Sequence, residues 1–63
     1  MPEVYVHAVK GRTLEQKRGL MKDITDAVMK NFSVPAEAVT VEIIESEPTS
    51  KAKGGVPFSE MRR

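Results

Sequence analysis

One long amphipathic stretch, Leu14 to Asn31, constrains this chain more than any other feature, because it stands alone between two short alternating runs. From Leu14 the apolar positions recur at Leu20, Met21, Ile24, Ala27, Val28 and Phe32, spacings that draw a single stripe along a helix. Lys17, Arg18, Lys22, Asp23, Asp26 and Lys30 populate the remaining faces. Thr13 with Gln16 has capping-box spacing, and Glu15 falls in the first turn, where the helix dipole favours a negative charge. Pro35 marks the stop, since the residue before a proline is biased out of helical geometry. The result is a helix of roughly 27 Å at 1.5 Å per residue, with the Met21 and Phe32 stripe as core. Gly19 costs about 1 kcal/mol relative to alanine inside it and leaves room for a close approach.

The flanking runs have the two-residue period of strands. In Pro2 to Val9, the residues Val4, Val6 and Ala8 point one way and Glu3, Tyr5, His7 and Val9 the other. In Val39 to Glu45, Val39, Val41 and Ile43 share one face and Thr40, Glu42 and Ile44 the other. Strand, long helix, strand predicts a βαβ unit, parallel strands joined by a right-handed crossover. The expected fold class is α+β, one domain over residues 1–63. Lys10-Gly11-Arg12 turns the chain into the helix, and Pro35-Ala36-Glu37-Ala38 makes a short turn after it. Ser46 to Ser50 reads as a polar loop. Lys51 to Gly55 is a basic segment ending in a turn, from which Val56-Pro57-Phe58 returns as a short arm. Two strands cannot cover both faces of their own sheet, so the mixed outer face and the Gly54-Gly55 arm are expected to meet a neighbouring copy.

Sixty-three residues bury only about 60% of the surface that the unfolded chain exposes. Small domains recover stability from disulfides, metal or self-association. With no cysteine and one histidine, disulfides are excluded and a structural zinc site has no ligand set, which leaves oligomerisation. Ten basic and nine acidic side chains balance to a net charge of +1, which argues against a nucleic-acid partner. No apolar run approaches the ~20 residues of a membrane span. No signal segment opens the chain, so a cytoplasmic location is expected.

Pro2 carries the candidate chemistry. Removal of Met1 would free a secondary amine at the start of a strand, and an α-amine titrates at about 7.7–8.0. Desolvation or a nearby cation would bring it toward neutrality, where a general base works best. With Met1 retained, the same nitrogen is an amide without basicity. Taken alone, Pro2 also reads as a plain strand-initiating residue and Arg12 as a surface residue at the helix entry. His7, mid-strand and without a partner at motif spacing, reads as a hydrogen-bonded structural histidine. Glu42 reads as an outward-facing strand residue, with a carboxylate base as its alternative. Arg62 and Arg63 read as a basic tail.

In order and spacing, Pro2, Gly11-Arg12-Thr13, Glu15-Gln16-Lys17, Pro35 before the second strand and Gly54-Gly55 make the chain resemble the 4-oxalocrotonate tautomerase family over nearly its whole length. The resemblance implies a βαβ protomer that pairs into a four-stranded sheet and assembles further, typically as a hexamer. It also implies a cofactor-independent isomerase in which the amino-terminal proline shuttles a proton across an enol or dienol. Pro2 would be the base, and Arg12, contributed across an interface, would bind the anion or polarise the carbonyl. Guanidinium donors favour charge developing on oxygen, and their field favours the neutral amine.

Two departures bear on substrate. Thr40 stands where the dicarboxylate-specific relative has a second arginine, and Lys51 where it has an aromatic residue; Lys53 likewise replaces an apolar one. Lys51 restores a positive charge without a bidentate fork. The expected substrate is a small anionic enol or ketoacid with altered preference, contacted by Thr40 and Lys51. Two alternatives remain beside it: a proline-based hydratase on the same scaffold, and a non-catalytic subunit of a mixed assembly.

Overall fold

The computed structural model describes residues 1–61; Arg62 and Arg63, read above as a basic tail, lie outside them. Strand β1 (Glu3–Val9) runs parallel to β2 (Thr40–Ser46), and helix α1 (Leu14–Phe32) connects them. The expected βαβ unit is present, with the second strand displaced one residue toward the C-terminus. The capping box at Thr13 is complete: the Gln16 backbone N–H donates to Thr13 Oγ1 at 3.1 Å, and the Thr13 N–H donates to Gln16 Oε1 at 2.9 Å. At the other end the N–H of Ser33, in left-handed geometry with φ 56°, donates to the Met29 carbonyl at 3.0 Å.

The register pairs Val4 with Val41, Val6 with Ile43 and Ala8 with Glu45, and these half-buried residues form one side of the sheet. On the other side Glu3, Tyr5, His7, Thr40 and Glu42 are exposed. Thr40 N–H to Pro2 O at 3.0 Å and Lys10 N–H to Ser46 O at 2.9 Å extend the ladder beyond both ends of β1. The outer edge of each strand has no ladder partner among the described residues.

Past β2 the polar loop contains one 3-10 turn, Pro48–Ser50, and then a small antiparallel hairpin of β3 (Ala52–Lys53) and β4 (Val56–Pro57). Gly54 and Gly55 turn it with φ of 61° and 84°. Two successive positive φ angles are what a tight hairpin turn demands, and glycine adopts them without a Cβ clash.

No described residue is buried in the protomer. The helix packs chiefly over β2, leaving its stripe wider than the surface beneath it. Phe32, expected in the core, is 66% exposed, and Leu14 at the opposite end is 62% exposed. Nor does Gly19 serve a close approach here, since no described atom beyond its chain neighbours and its own helix backbone lies within 4 Å of where its Cβ would be. No described helix is long and apolar enough to cross a membrane.

Candidate functional site

The four residues singled out from sequence divide between the two ends of the βαβ unit. Pro2 is half-buried at the start of β1, and Thr40 is its cross-strand neighbour through the 3.0 Å bond to the Pro2 carbonyl. The side chains around this end are acidic or neutral. Glu3 accepts a hydrogen bond from the Tyr5 hydroxyl, and Glu42 stands opposite Tyr5. The bond to Glu3, reinforced by the carboxylate's charge, raises the Tyr5 phenol above its ordinary pKa and keeps it a proton donor. Carboxylates favour the charged form of an amine placed near them.

A cation stands at the far end of β1. Arg12 is exposed just after the turn that follows β1, and its Nη1 donates to the Val9 carbonyl at 3.2 Å. Roughly 23 Å of strand separates Pro2 from Val9, at about 3.3 Å per residue. A single protomer therefore does not bring Pro2 and Arg12 together. Neighbouring lysines are occupied: Lys10 pairs with Glu47 at 2.8 Å and Lys17 with Glu45 at 3.1 Å. The contact with Glu47 raises the Lys10 pKa and keeps that ammonium charged. Arg12 has no carboxylate partner among the described residues, so most of its donors stay available to an anion.

Arg12 opens onto a groove walled by Val9, Pro48, Phe58 and Met61, with His7 and Lys10 also contributing. Lys51 belongs to this end but does not line the groove; its Nζ lies over the Phe58 ring, 5.9 Å from the centroid. Its carbonyl accepts from the Phe58 N–H at 2.7 Å, which places the ring. Phe58 was missed in the sequence because it read as part of an arm rather than a pocket wall. His7 is exposed on the open sheet face and makes no side-chain hydrogen bond among the described residues, contrary to the expected structural histidine. Glu42 is exposed, as an outward strand position requires. Among the described residues no cluster of three or more His, Cys, Asp or Glu could hold a metal ion.

Comparison with known proteins gives the family. The family model described as tautomerase enzyme matches residues 2–61. A probable tautomerase of Bradyrhizobium diazoefficiens is 50% identical over 60 residues, 95% of this chain and 90% of the relative. The 2-hydroxymuconate tautomerase of Pseudomonas sp. strain CF600 is 35% identical over 63 residues, the whole of both chains. Among solved structures, a chain of the heterohexamer 4-oxalocrotonate tautomerase from Chloroflexus aurantiacus superimposes with a TM-score of 0.87 at 32% identity, covering 98% of this chain and 100% of that one. The chain belongs to the tautomerase family. Its βαβ protomer is the fold of that family's solved members, and its activity class is that of a tautomerase-like isomerase.

Proposed function

We propose that this chain is a cofactor-independent tautomerase in which Pro2, freed by removal of Met1, is the general base for a small enolic ketoacid bearing one carboxylate. The observation that carries the reading is the placement of Arg12: a guanidinium with no carboxylate partner among the described residues, facing a groove with an apolar wall of Val9, Pro48, Phe58 and Met61 and a polar lining of His7, Lys10 and Ser59, at the end opposite Pro2. The two halves meet only between copies. Antiparallel pairing of the free β1 edges would set the Pro2 end of one protomer beside the Val9 end of the next and extend two strands to four. Further association, as a hexamer, would cover the open face and the hairpin arm. A protomer with no buried residue among those described supports such an assembly.

The neutral Pro2 amine takes the enol hydroxyl proton, the oxygen lone pair closes to a carbonyl, and the double bonds shift toward the far carbon. That carbon takes the proton back from the prolinium. Arg12 holds the carboxylate, and its charge offsets the carboxylates of Glu3 and Glu42 that would otherwise keep Pro2 protonated. With Thr40 neutral beside Pro2, the described residues bring one guanidinium to the site for anion binding, which fits one carboxylate better than two.

The test is kinetics on phenylenolpyruvate with Met1 status read by intact mass. Retained Met1, or Pro2→Ala, is expected to lower kcat/KM by about 100-fold or more, the scale of general-base catalysis. In the processed protein kcat/KM should rise with pH through the ionisation of an amine at or below about 8 and then level off. Full activity with Met1 retained would overturn the base assignment. The neutral Thr40 also supports a second reading, a subunit of a mixed assembly; a native mass showing a second short chain in the purified complex would favour it.

A further inference from the structure

Two lysine–glutamate pairs flank Arg12, and both glutamates come from the C-terminal end of β2 or just past it. Glu47 and Lys10 form the outer pair, with side chains 52% and 59% exposed. Glu45 and Lys17 form the inner pair, with side chains only 23% and 27% exposed. Glu45 lies opposite Ala8 on the helix side of the sheet. With Lys17, Gln16 and Arg12 it lines a small pocket that also includes Val6, Leu20 and Ile43. A carboxylate in such surroundings needs a cation, and two line this pocket. Arg12 would be the stronger partner, because its planar fork can grip both carboxylate oxygens. Yet Lys17 holds Glu45, while among the described residues Arg12 donates a hydrogen bond only to the Val9 carbonyl.

We propose that Lys17 is a positioning residue for anion binding: by neutralising Glu45 it keeps that carboxylate from capturing Arg12, and so leaves the guanidinium free for substrate. The inference rests on the reading of Arg12 as the carboxylate-binding residue. Lys17 needs no contact with substrate; its effect passes through Glu45 to Arg12. The exposed Lys10–Glu47 pair is a weaker version of the same device, because solvent screens it.

A double-mutant cycle on the assembled, Met1-processed protein, with phenylenolpyruvate as substrate, tests this. Lys17→Met and Lys17→Gln should each raise KM about five- to tenfold with kcat within about twofold, the scale of coupling between contacting charges. Lys17→Arg should preserve KM. Glu45→Gln alone should move KM by less than about twofold, yet in the Lys17→Met background it should restore KM to near the parent value. Equal effects of Glu45→Gln in both backgrounds would reduce the pair to a through-space field and overturn the proposal. So would assembly lost in both Lys17 variants and recovered in the double variant, which would assign the pair to folding. Arg12→Ala separates the two layers. Unchanged KM in that variant removes the Arg12 reading, whereas a raised KM there with none in Lys17→Met removes the role of Lys17 alone.

Discussion

Phe58 provides a ring at the end of the molecule where Lys51 withholds one. Lys51 lies over that ring and accepts its backbone N–H, so the lysine acts as a support for the aromatic wall. The groove sets one guanidinium beside an apolar wall of Val9, Pro48, Phe58 and Met61, with His7, Lys10 and Ser59 as its polar lining. Phe58→Ala is expected to lower kcat/KM for a phenyl-tailed enol about tenfold or more, with a smaller loss for a short aliphatic enol. Steady-state kinetics on the two substrates checks it. Equal losses would place Phe58 in assembly rather than in the pocket. The positions of Pro2 and Arg12 at opposite ends of β1 were legible in the sequence, because each sits beside a strand end or turn that local patterns mark; Thr40 and Lys51 were singled out only through the family resemblance. Phe58 was not, since only the hairpin returning past Lys51 brings it to Arg12. The Lys17–Glu45 contact was hidden for a related reason: it joins residues 28 positions apart, and nothing local to either names the other.

At the scale of elements, local chemistry set most of the outcome. The Thr13 capping box, the apolar stripe and Pro35 place α1 within one residue of its expected end, and the period-two runs place both strands. Thr13→Ala removes the hydroxyl acceptor of the Gln16 N–H and should cost about 1 kcal/mol of stability. Denaturant unfolding at fixed protein concentration measures it. A neutral substitution would mean that the helix start is held by contacts outside the protomer. What element-level patterns misjudged was depth. The stripe predicts a buried face, but α1 outreaches the two strands beneath it, so Leu14 and Phe32 overhang at its ends. The helix was readable from its own residues; how far the sheet reaches beneath it was not, because two seven-residue strands lie under a nineteen-residue helix.

The whole molecule is stretched for its size. Its Cα radius of gyration is 14.8 Å, over extents of 42 × 22 × 16 Å, whereas a compact chain of this length has a radius of about 11 Å. With no buried residue among those described and a hairpin of its own outside the sheet, the protomer has little to hold it closed by itself. Unfolding and dissociation should therefore be one process, with Tm falling by a few degrees or more for each tenfold dilution. Calorimetry or circular dichroism across a concentration series checks this, and a Tm independent of dilution would show a self-sufficient protomer.

The distance along β1 from Pro2 to the carbonyl that Arg12 touches has a consequence for inheritance. Each chain would donate its amine to one pocket and its guanidinium to another, so no single polypeptide would own a complete centre. A lesion at either residue would be shared with a neighbour. Conversely, a chain lacking only the amine and a chain lacking only the guanidinium, assembled together, would rebuild one intact centre from two defective genes.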